Sequence, residues 1–187
     1  PLDANRSCIR LIKLRRGTTD DPLICNFLVV SLKDKPAYDT LSYPWGDDNM
    51  TKTILVDNVT FEITVNLEEF LRCLRSPNAD LVLWADALCI DQQNGREKST
   101  QIGLMAQIYR QGKENHIWFG DFTHSWKDEI LSDPLYVPTS QFTEVIRWPT
   151  IVDSLRWIIS RPWWSRVWTL QEAILPRVDS LVHIGSS

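Results

Sequence analysis

The sequence predicts an α/β fold in which helices flank a mostly parallel β-sheet. From residue 38 onward, strand-like and helix-like segments alternate, an order typical of helix-covered parallel sheets. Residues 81–90 form an almost continuously apolar run, as expected of a strand that is buried on both faces. The chain has 187 residues, 43% of them hydrophobic and 24% charged. This length and composition favour a single globular domain over residues 1–187.

The first third of the chain is dominated by strand signals. Asp57-Asn58 is typical of a two-residue hairpin turn between two short apolar runs. An added N-terminal strand and hairpin region is therefore expected in front of the alternating part. The predicted strands of this region are Ile9–Leu14, Ile24–Leu32, Tyr38–Tyr43, Ile54–Val56 and Val59–Ile63.

The middle of the chain predicts two helices on either side of a buried strand. Asn66 is expected to cap the first helix, because Glu69 three residues later can reach back to it. Pro77 should end that helix, and the buried strand should span Leu81–Ile90. The second helix is expected from about Arg96 to Gln111.

The last part of the chain, from residue 116 onward, continues the predicted alternation of strands and helices. An irregular insertion is expected near residues 121–149, which contain three prolines and no clean hydrophobic period. The other predicted elements are the strand His116–Phe119, the helices Ile151–Ser160 and Trp163 to about Leu175, and a last strand Val178–Ile184.

The carboxyl ends of the strands are the expected position of a ligand crevice. These ends are Tyr43–Gly46, Ile90–Gln93 and Phe119–Asp121. Asp86 has two interpretations: it accepts backbone or indole N–H bonds that fix a loop, or, as a carboxylate in apolar surroundings, it takes part in chemistry. Asp91 either caps the next helix or lines the crevice.

Glu172 is the candidate catalytic residue, because of its position in an unusual aromatic cluster. The chain has nine tryptophans, and on one continuous helix Trp164, Trp168 and Glu172 share a face at i, i+4 and i+8. The alternative is a glutamate paired with Arg166 or Arg161 at the edge of a Trp-rich core. A Glu172 buried in a closed salt bridge, away from any pocket, would weaken the catalytic hypothesis.

Composition and charge exclude several classes of partner. The net charge is −4 and no basic patch occurs, so no nucleic-acid partner is expected. No apolar run approaches the roughly 20 residues that span a bilayer, so no membrane partner is expected either. The four cysteines and three histidines are dispersed, which predicts no metal site. Cys89 is interpreted as a buried free thiol of a cytoplasmic protein, and His116 as structural.

Several motifs together resemble the fungal heterokaryon-incompatibility (HET) domain. They occur in family order between residues 38 and 172, with small departures such as Asp91 where the family has Asn. The matching segments are Tyr38–Gly46 (Y-x-x-L-S-Y-x-W-G), Leu83–Gln92 (L-W-I-D-A-L-C-I-N-Q), Glu97–Tyr109 (E-[RK]-S-x-Q…M…I-Y), Ile117–Gly120 and Trp163–Glu172 (W-[FW]-x-R-V-W-T-L-Q-E).

The resemblance implies that this domain is the cell-death effector of fungal non-self recognition. It also resembles, more distantly, the Toll/interleukin-receptor (TIR) domain, which implies a flavodoxin-like sheet. Residues 167–172 fall where TIR domains have W-C-L-x-E, with the glutamate one residue farther from Trp168. In enzymatic TIR domains that glutamate is essential for cleaving the nicotinamide–ribose bond of NAD, which points to Glu172.

Two functions therefore stay open for the predicted domain. It either cleaves NAD after self-association, or it is a non-enzymatic module that recruits other death-signalling domains. No cofactor is expected, and NAD is a candidate substrate. The residues expected to contact that substrate are Tyr43, Trp45, Gly46, Asp86, Asp91 and Trp168.

Overall fold

The computed structural model describes residues 2–3, 6–120, 159, 162–166 and 169–183. The described strands are β1 Cys8–Leu14, β2 Ile24–Ser31, β3 Asp39–Ser42, β4 Thr51–Val56, β5 Val59–Thr64, β6 Leu81–Trp84, β7 Asn115–Trp118 and β8 Leu181–His183. The described helices are α1 Val65–Leu74, α2 Asp86–Cys89, α3 Gly95–Gln111 and α4 Thr169–Ile174, with short 3₁₀ segments at Leu32–Asp34 and Pro162–Ser165. The predicted insertion near 121–149, Trp168 and, apart from residue 159, the predicted helix Ile151–Ser160 lie outside the described residues.

All the described strands belong to one sheet in the order β5-β4-β2-β1-β6-β3-β7-β8. The prediction of an α/β fold is confirmed, but the sheet is mixed rather than mostly parallel. β3 pairs in parallel with β6 and β7, and β7 pairs in parallel with β8. β1 pairs antiparallel with both β2 and β6. This strand therefore joins the N-terminal hairpin region to the parallel part, a connection that sequence periodicity does not reveal.

The hairpin predicted at Asp57-Asn58 is confirmed. β4 and β5 pair antiparallel, with Val56 opposite Val59. Asp57 and Asn58 have φ angles of 52° and 64°, and two positive φ angles are what a type I′ turn requires.

The strand predicted over residues 81–90 is wrong in its second half. β6 ends at Trp84, and the chain turns into the short helix α2. The Asp86 carboxylate accepts the Ala87 N–H at 2.8 Å, and the Cys89 N–H donates to the Ala85 carbonyl at 2.8 Å. The run is apolar because α2 is also buried, and apolar content alone does not distinguish a buried strand from a buried helix. Cys89 is a free, fully buried thiol, as predicted.

The start of α1 also differs from the prediction. The helix begins at Val65, so Asn66 lies inside its first turn rather than at the cap. The Asn66 Nδ2 donates to the Pro44 carbonyl at 2.9 Å, which fixes the turn after β3. Gly46 in that turn has a φ of 82°, and a Cβ there would lie 2.8 Å from Asn66 Nδ2. Asn66 thus makes a tertiary contact with the turn after β3 instead of capping α1.

The continuous helix predicted from Trp163 to Leu175 is also wrong. Pro162–Ser165 form a 3₁₀ turn, Arg166 lies in a bend, and α4 begins at Thr169. Trp163 is buried, whereas Trp164 is half exposed and packs on the Phe119 ring. Trp164 and Glu172 therefore do not share a helix face, because Trp164 lies in the 3₁₀ turn and Glu172 lies in α4.

The main core lies between β1, β3, β6 and the helices α1 and α3. Phe70 of α1 is fully buried and stacks on Trp118, with ring centroids 5.7 Å apart and an interplanar angle of 9°. Trp84 packs edge-on against Tyr109 of α3. Among the described residues, every helix is too short or too polar to cross a lipid bilayer.

Candidate functional site

The candidate site lies where β3 and β7 end. β3 comes first in the parallel part of the chain, β6 is placed on one side of it, and β7 then returns to the other side. Such a reversal leaves a crevice outside the carboxyl ends of the two central strands. Ser42 is the last residue of β3, and Phe119 directly follows β7.

Glu172 of α4 reaches the end of β3. Its side chain is 1% exposed, and its Oε2 accepts a hydrogen bond from the Ser42 hydroxyl. The Ser42 Oγ in turn accepts the Trp163 indole N–H at 2.6 Å. The Glu172 carbonyl accepts from Asn115 Nδ2 at 2.9 Å, which fixes α4 against the start of β7. The carboxylate is therefore held in one position by both strands.

Arg166 connects Glu172 to a second carboxylate. Its Nη2 lies 3.4 Å from Glu172 Oε1 and 3.3 Å from Asp86 Oδ2. Its Nη1 donates to the Tyr43 carbonyl, next to the end of β3. The interpretation that Glu172 pairs with Arg166 is confirmed. A single guanidinium thus compensates two carboxylates with little access to water, an arrangement that loses much of its stability if the cation is removed.

Asp86 is the outer member of this network. Its Oδ2 accepts the Trp45 indole N–H at 2.9 Å. The interpretation that Asp86 accepts backbone and indole N–H bonds is confirmed, since it also binds the Ala87 N–H. In this position it fixes Trp45 beside Arg166.

The pKa values of buried groups follow from the same contacts. Burial raises the pKa of Glu172 above 4.5, and the Asp86 charge adds to the effect. The Arg166 guanidinium and the Ser42 hydroxyl oppose it without cancelling it. Burial, followed by the Asp86 charge, raises the pKa of Tyr43 well above its ordinary value.

A pocket of about 250 Å³ opens beside this network. Trp45, Asp86 and Arg166 line one side of it, and Lys98 contributes a second cation. Ile90, Ile102 and Met105 supply apolar surface. Arg166 is already paired with Asp86, so Lys98 is the cation that these lining residues leave for a ligand. An indole, this ammonium group and an apolar wall suit a ligand that combines a flat ring with an anionic group.

Only some of the predicted substrate-binding residues line this pocket. Trp45 and Asp86 line it, whereas the Tyr43 side chain is buried in the core. Asp91 is exposed, its carboxylate accepts the Gln93 N–H, and α3 is capped by Asn94 instead. Gly46 shapes the turn behind Trp45. Trp168 lies outside the described residues.

Glu172 does not line the pocket, because the Arg166 side chain lies between the Glu172 carboxylate and the pocket. The burial and ion pairing of Glu172 are the features that would weaken a catalytic role, although the pocket lies only one side chain away. Ser42, Lys98 and Arg166 are not among the site residues that the sequence predicts. Ser42 and Arg166 lie inside the motifs at the ends of the matched segment, which is the signal that could have identified them.

The raised pKa of Glu172 predicts a pH-dependent contribution to stability. The folded protein binds this proton more tightly than the unfolded chain, so the contribution is fully present below pH 4.5 and is lost as the pH rises through the raised pKa. We expect the unfolding free energy of the wild type minus that of Glu172→Gln to fall as the pH rises, by at most about 1.4 kcal/mol per pH unit. Urea unfolding of both proteins between about pH 4 and pH 7 measures this difference, and a difference that rises with pH would contradict it.

Comparison with known proteins gives consistent matches. The family model described as "Heterokaryon incompatibility protein (HET)" matches residues 38–172. "Heterokaryon incompatibility protein 6, OR allele" of Neurospora crassa is 28% identical over 217 residues, which cover 89% of this chain and 32% of that protein. "Vegetative incompatibility protein HET-E-1" of Podospora anserina is 25% identical over 145 residues, 75% of this chain and 9% of that protein. The chain thus spans a third or less of these relatives. No solved structure matches it.

Proposed function

The chain belongs to the heterokaryon incompatibility (HET) family, and on that basis we propose that it is a cell-death effector domain of fungal non-self recognition. The names of both relatives support this proposal, since each describes an incompatibility protein. The four cysteines are free, three of them buried and one half-buried. Free cysteines are compatible with action in the reducing cytoplasm.

The mechanism we propose is cleavage of the nicotinamide–ribose bond of NAD. The four neighbouring strands β6-β3-β7-β8, which pair in parallel with one another, lie as 2-1-3-4 when numbered in chain order, which is how the flavodoxin-like order begins. This order supports a TIR-like fold. The observation that carries the proposal is the position of the Glu172 carboxylate at the reversal point of this sheet, one side chain away from a pocket.

The chemistry of this cleavage needs a carboxylate. The bond between ribose C1′ and the nicotinamide nitrogen breaks, and its electron pair leaves with nicotinamide, which becomes neutral. C1′ then carries an oxocarbenium-like positive charge that a nearby carboxylate stabilises. When water is the acceptor, its oxygen bonds to C1′ and one proton passes through Glu172 to solvent. The raised pKa makes Glu172 a better proton acceptor for this step.

Access to Glu172 requires one change in the described conformation. Arg166 must withdraw from the carboxylate, because its guanidinium separates Glu172 from the pocket. We propose that self-association provides this change. The withdrawn guanidinium and Lys98 would then face the pyrophosphate of NAD, while the Trp45 indole lies beside a base.

A second function is favoured by the burial of Glu172. A carboxylate that is 1% exposed and held by Ser42 and Arg166 also suits a purely structural role. The domain would then recruit other death-signalling domains without chemistry of its own, and the Arg166 network would only maintain the fold.

Nicotinamide release separates these functions. We expect the purified domain to release nicotinamide from NAD when it is clustered on a multivalent support, and to release little when dilute. Glu172→Gln should lower the clustered rate by at least about 100-fold, since the stabilising charge is lost. Chromatography of the reaction mixture measures the product.

The matched control is Glu62→Gln, which removes an exposed carboxylate on β5 and should leave the rate unchanged. Far-UV circular dichroism and the unfolding midpoint confirm that each variant is folded. No release in any clustered state, together with cell killing that persists in Glu172→Gln, would reject the enzyme and support the recruiting module.

A further inference from the structure

A second group of chemically active side chains lies at the opposite ends of the same strands. Asp39 is the first residue of β3, Glu114 directly precedes β7, and His116 is the second residue of β7. Because β3 and β7 are parallel neighbours, with Thr40 opposite Asn115, these three residues meet at the amino-terminal edge of the sheet. They are separate from the network around Glu172.

The three side chains present ligand atoms at short range. One atom from each lies within 4.8 Å of the other two. His116 Nε2 is 3.9 Å from Asp39 Oδ2 and 3.8 Å from Glu114 Oε2. Two ligands of a tetrahedral Zn²⁺ are about 3.4 Å apart, given bond lengths of about 2.0–2.2 Å. Closing the two gaps to His116 takes a movement of about half an ångström. The Asp39 and Glu114 oxygens lie within 4.8 Å of each other, and the Glu114 side chain is exposed enough to close the remaining gap.

In each of the three residues, the side-chain oxygen or nitrogen that does not face the other two residues makes a separate contact. That contact orients the side chain. Asp39 Oδ1 accepts the Glu114 N–H at 3.1 Å, which leaves Oδ2 facing His116. Glu114 Oε1 lies 3.8 Å from the Lys113 ammonium, which leaves Oε2 facing inward. His116 Nδ1 lies 2.9 Å from His183 Nε2. A metal-binding histidine almost always donates its second ring N–H in this way, since that bond fixes the ring and its tautomer.

His183 is therefore the outer partner of this group. β8 pairs in parallel with β7, which places His183 opposite Trp118 and brings its ring to 5.1 Å from the His116 ring. The His183 ring also packs on Phe70 of the core. Its position is thus determined by the sheet and the core, independently of any ion.

We propose that Asp39, Glu114 and His116 bind a divalent transition-metal ion of the Zn²⁺ type, with His183 as the positioning residue. An imidazole and two carboxylates suit Zn²⁺ better than Mg²⁺ or Ca²⁺, which prefer oxygen ligands only. Three protein ligands leave a coordination position for water. The ion connects the starts of β3 and β7, so it stabilises the sheet below the candidate site.

The test is titration of the intact chain with Zn²⁺ by calorimetry, with the melting temperature as a second measurement. We expect one ion per chain and a rise of about 5–10 °C at a hundredfold excess over the dissociation constant. Asp39→Asn and Glu114→Gln should each weaken binding by more than about 100-fold, and His183→Phe by about 10–100-fold. His183→Gln, which keeps an acceptor, should restore most of the affinity.

Two controls make the outcome decisive. Glu62→Gln should bind Zn²⁺ as the wild type does. Co²⁺ should give no cobalt–thiolate absorption, because the proposed ligands are two carboxylates and an imidazole, and no cysteine belongs to this group of ligand atoms. Absence of 1:1 binding, equal affinity in Glu114→Gln, or thiolate absorption would overturn the proposal.

Discussion

Replacing Arg166 with alanine is expected to lower the unfolding free energy by about 3–5 kcal/mol. The substitution leaves the carboxylates of Glu172 and Asp86 without their shared cation, and their side chains are only 1% and 12% exposed. Removing one partner of a buried ion pair leaves a charge that neither water nor protein compensates. Urea unfolding at neutral pH measures the loss as a shift of the midpoint.

A double substitution tests the physical reason for that loss. Arg166→Ala with Glu172→Gln removes the guanidinium and one of its two negative partners, so it should be more stable than Arg166→Ala alone. The matched control is Arg110→Ala, an exposed position in the last turn of α3, which should change stability by less than about 0.5 kcal/mol. A loss below about 1 kcal/mol in Arg166→Ala would show that water already solvates both carboxylates.

Replacing Phe70 with alanine is expected to cost a similar amount, about 3–5 kcal/mol, for a different reason. The ring is fully buried and stacks on Trp118, and it also contacts Tyr43 at 6.1 Å between centroids. Its removal leaves a cavity between α1 and the sheet, which the surrounding rings can fill only in part. The midpoint of urea unfolding, at unchanged slope, measures this loss.

Two variants separate cavity formation from the simple loss of an aromatic ring. Phe70→Leu keeps much of the volume and should lose less than half as much stability as Phe70→Ala. Phe61→Ala removes an aromatic ring at the exposed edge of the sheet, where it contacts only Phe27 among the aromatic rings of the described residues, and should cost about 1 kcal/mol or less. Equal losses in Phe70→Ala and Phe61→Ala would contradict the position assigned to Phe70.

Local chemistry explains which elements could be predicted. The Asp57-Asn58 turn follows from two residue types that tolerate positive φ. The glycine after Gln111 marks the end of α3, but its φ of −53° is not left-handed, and a Cβ there would lie 3.1 Å from the Thr40 side chain. The run from residue 81 to 90 shows the limit of such reasoning. Its apolar content predicted burial correctly, but only the contacts of Asp86 decide that the chain turns into a helix there.

The candidate site could be predicted only in part. The rule that strand ends form crevices in parallel sheets predicts Trp45, and a lone carboxylate in an apolar run predicts Asp86; both residues line the pocket. Arg166 was considered only as an ion-pair partner, although it also lines the pocket and contacts two carboxylates. A helical repeat placed Trp164 on the face of Glu172, and the bend at Arg166 removes that relationship.

Neighbouring residues and ordered motifs are enough to predict the α/β class, the hairpin, the buried segments and membership of the HET family. The folded arrangement is needed to see how β1 joins the two parts of the sheet, how Ser42 meets Glu172 130 residues later, and how His116 meets His183 67 residues later. Contacts at such separations depend on strand order and register. Neither is encoded in the local pattern of any one strand.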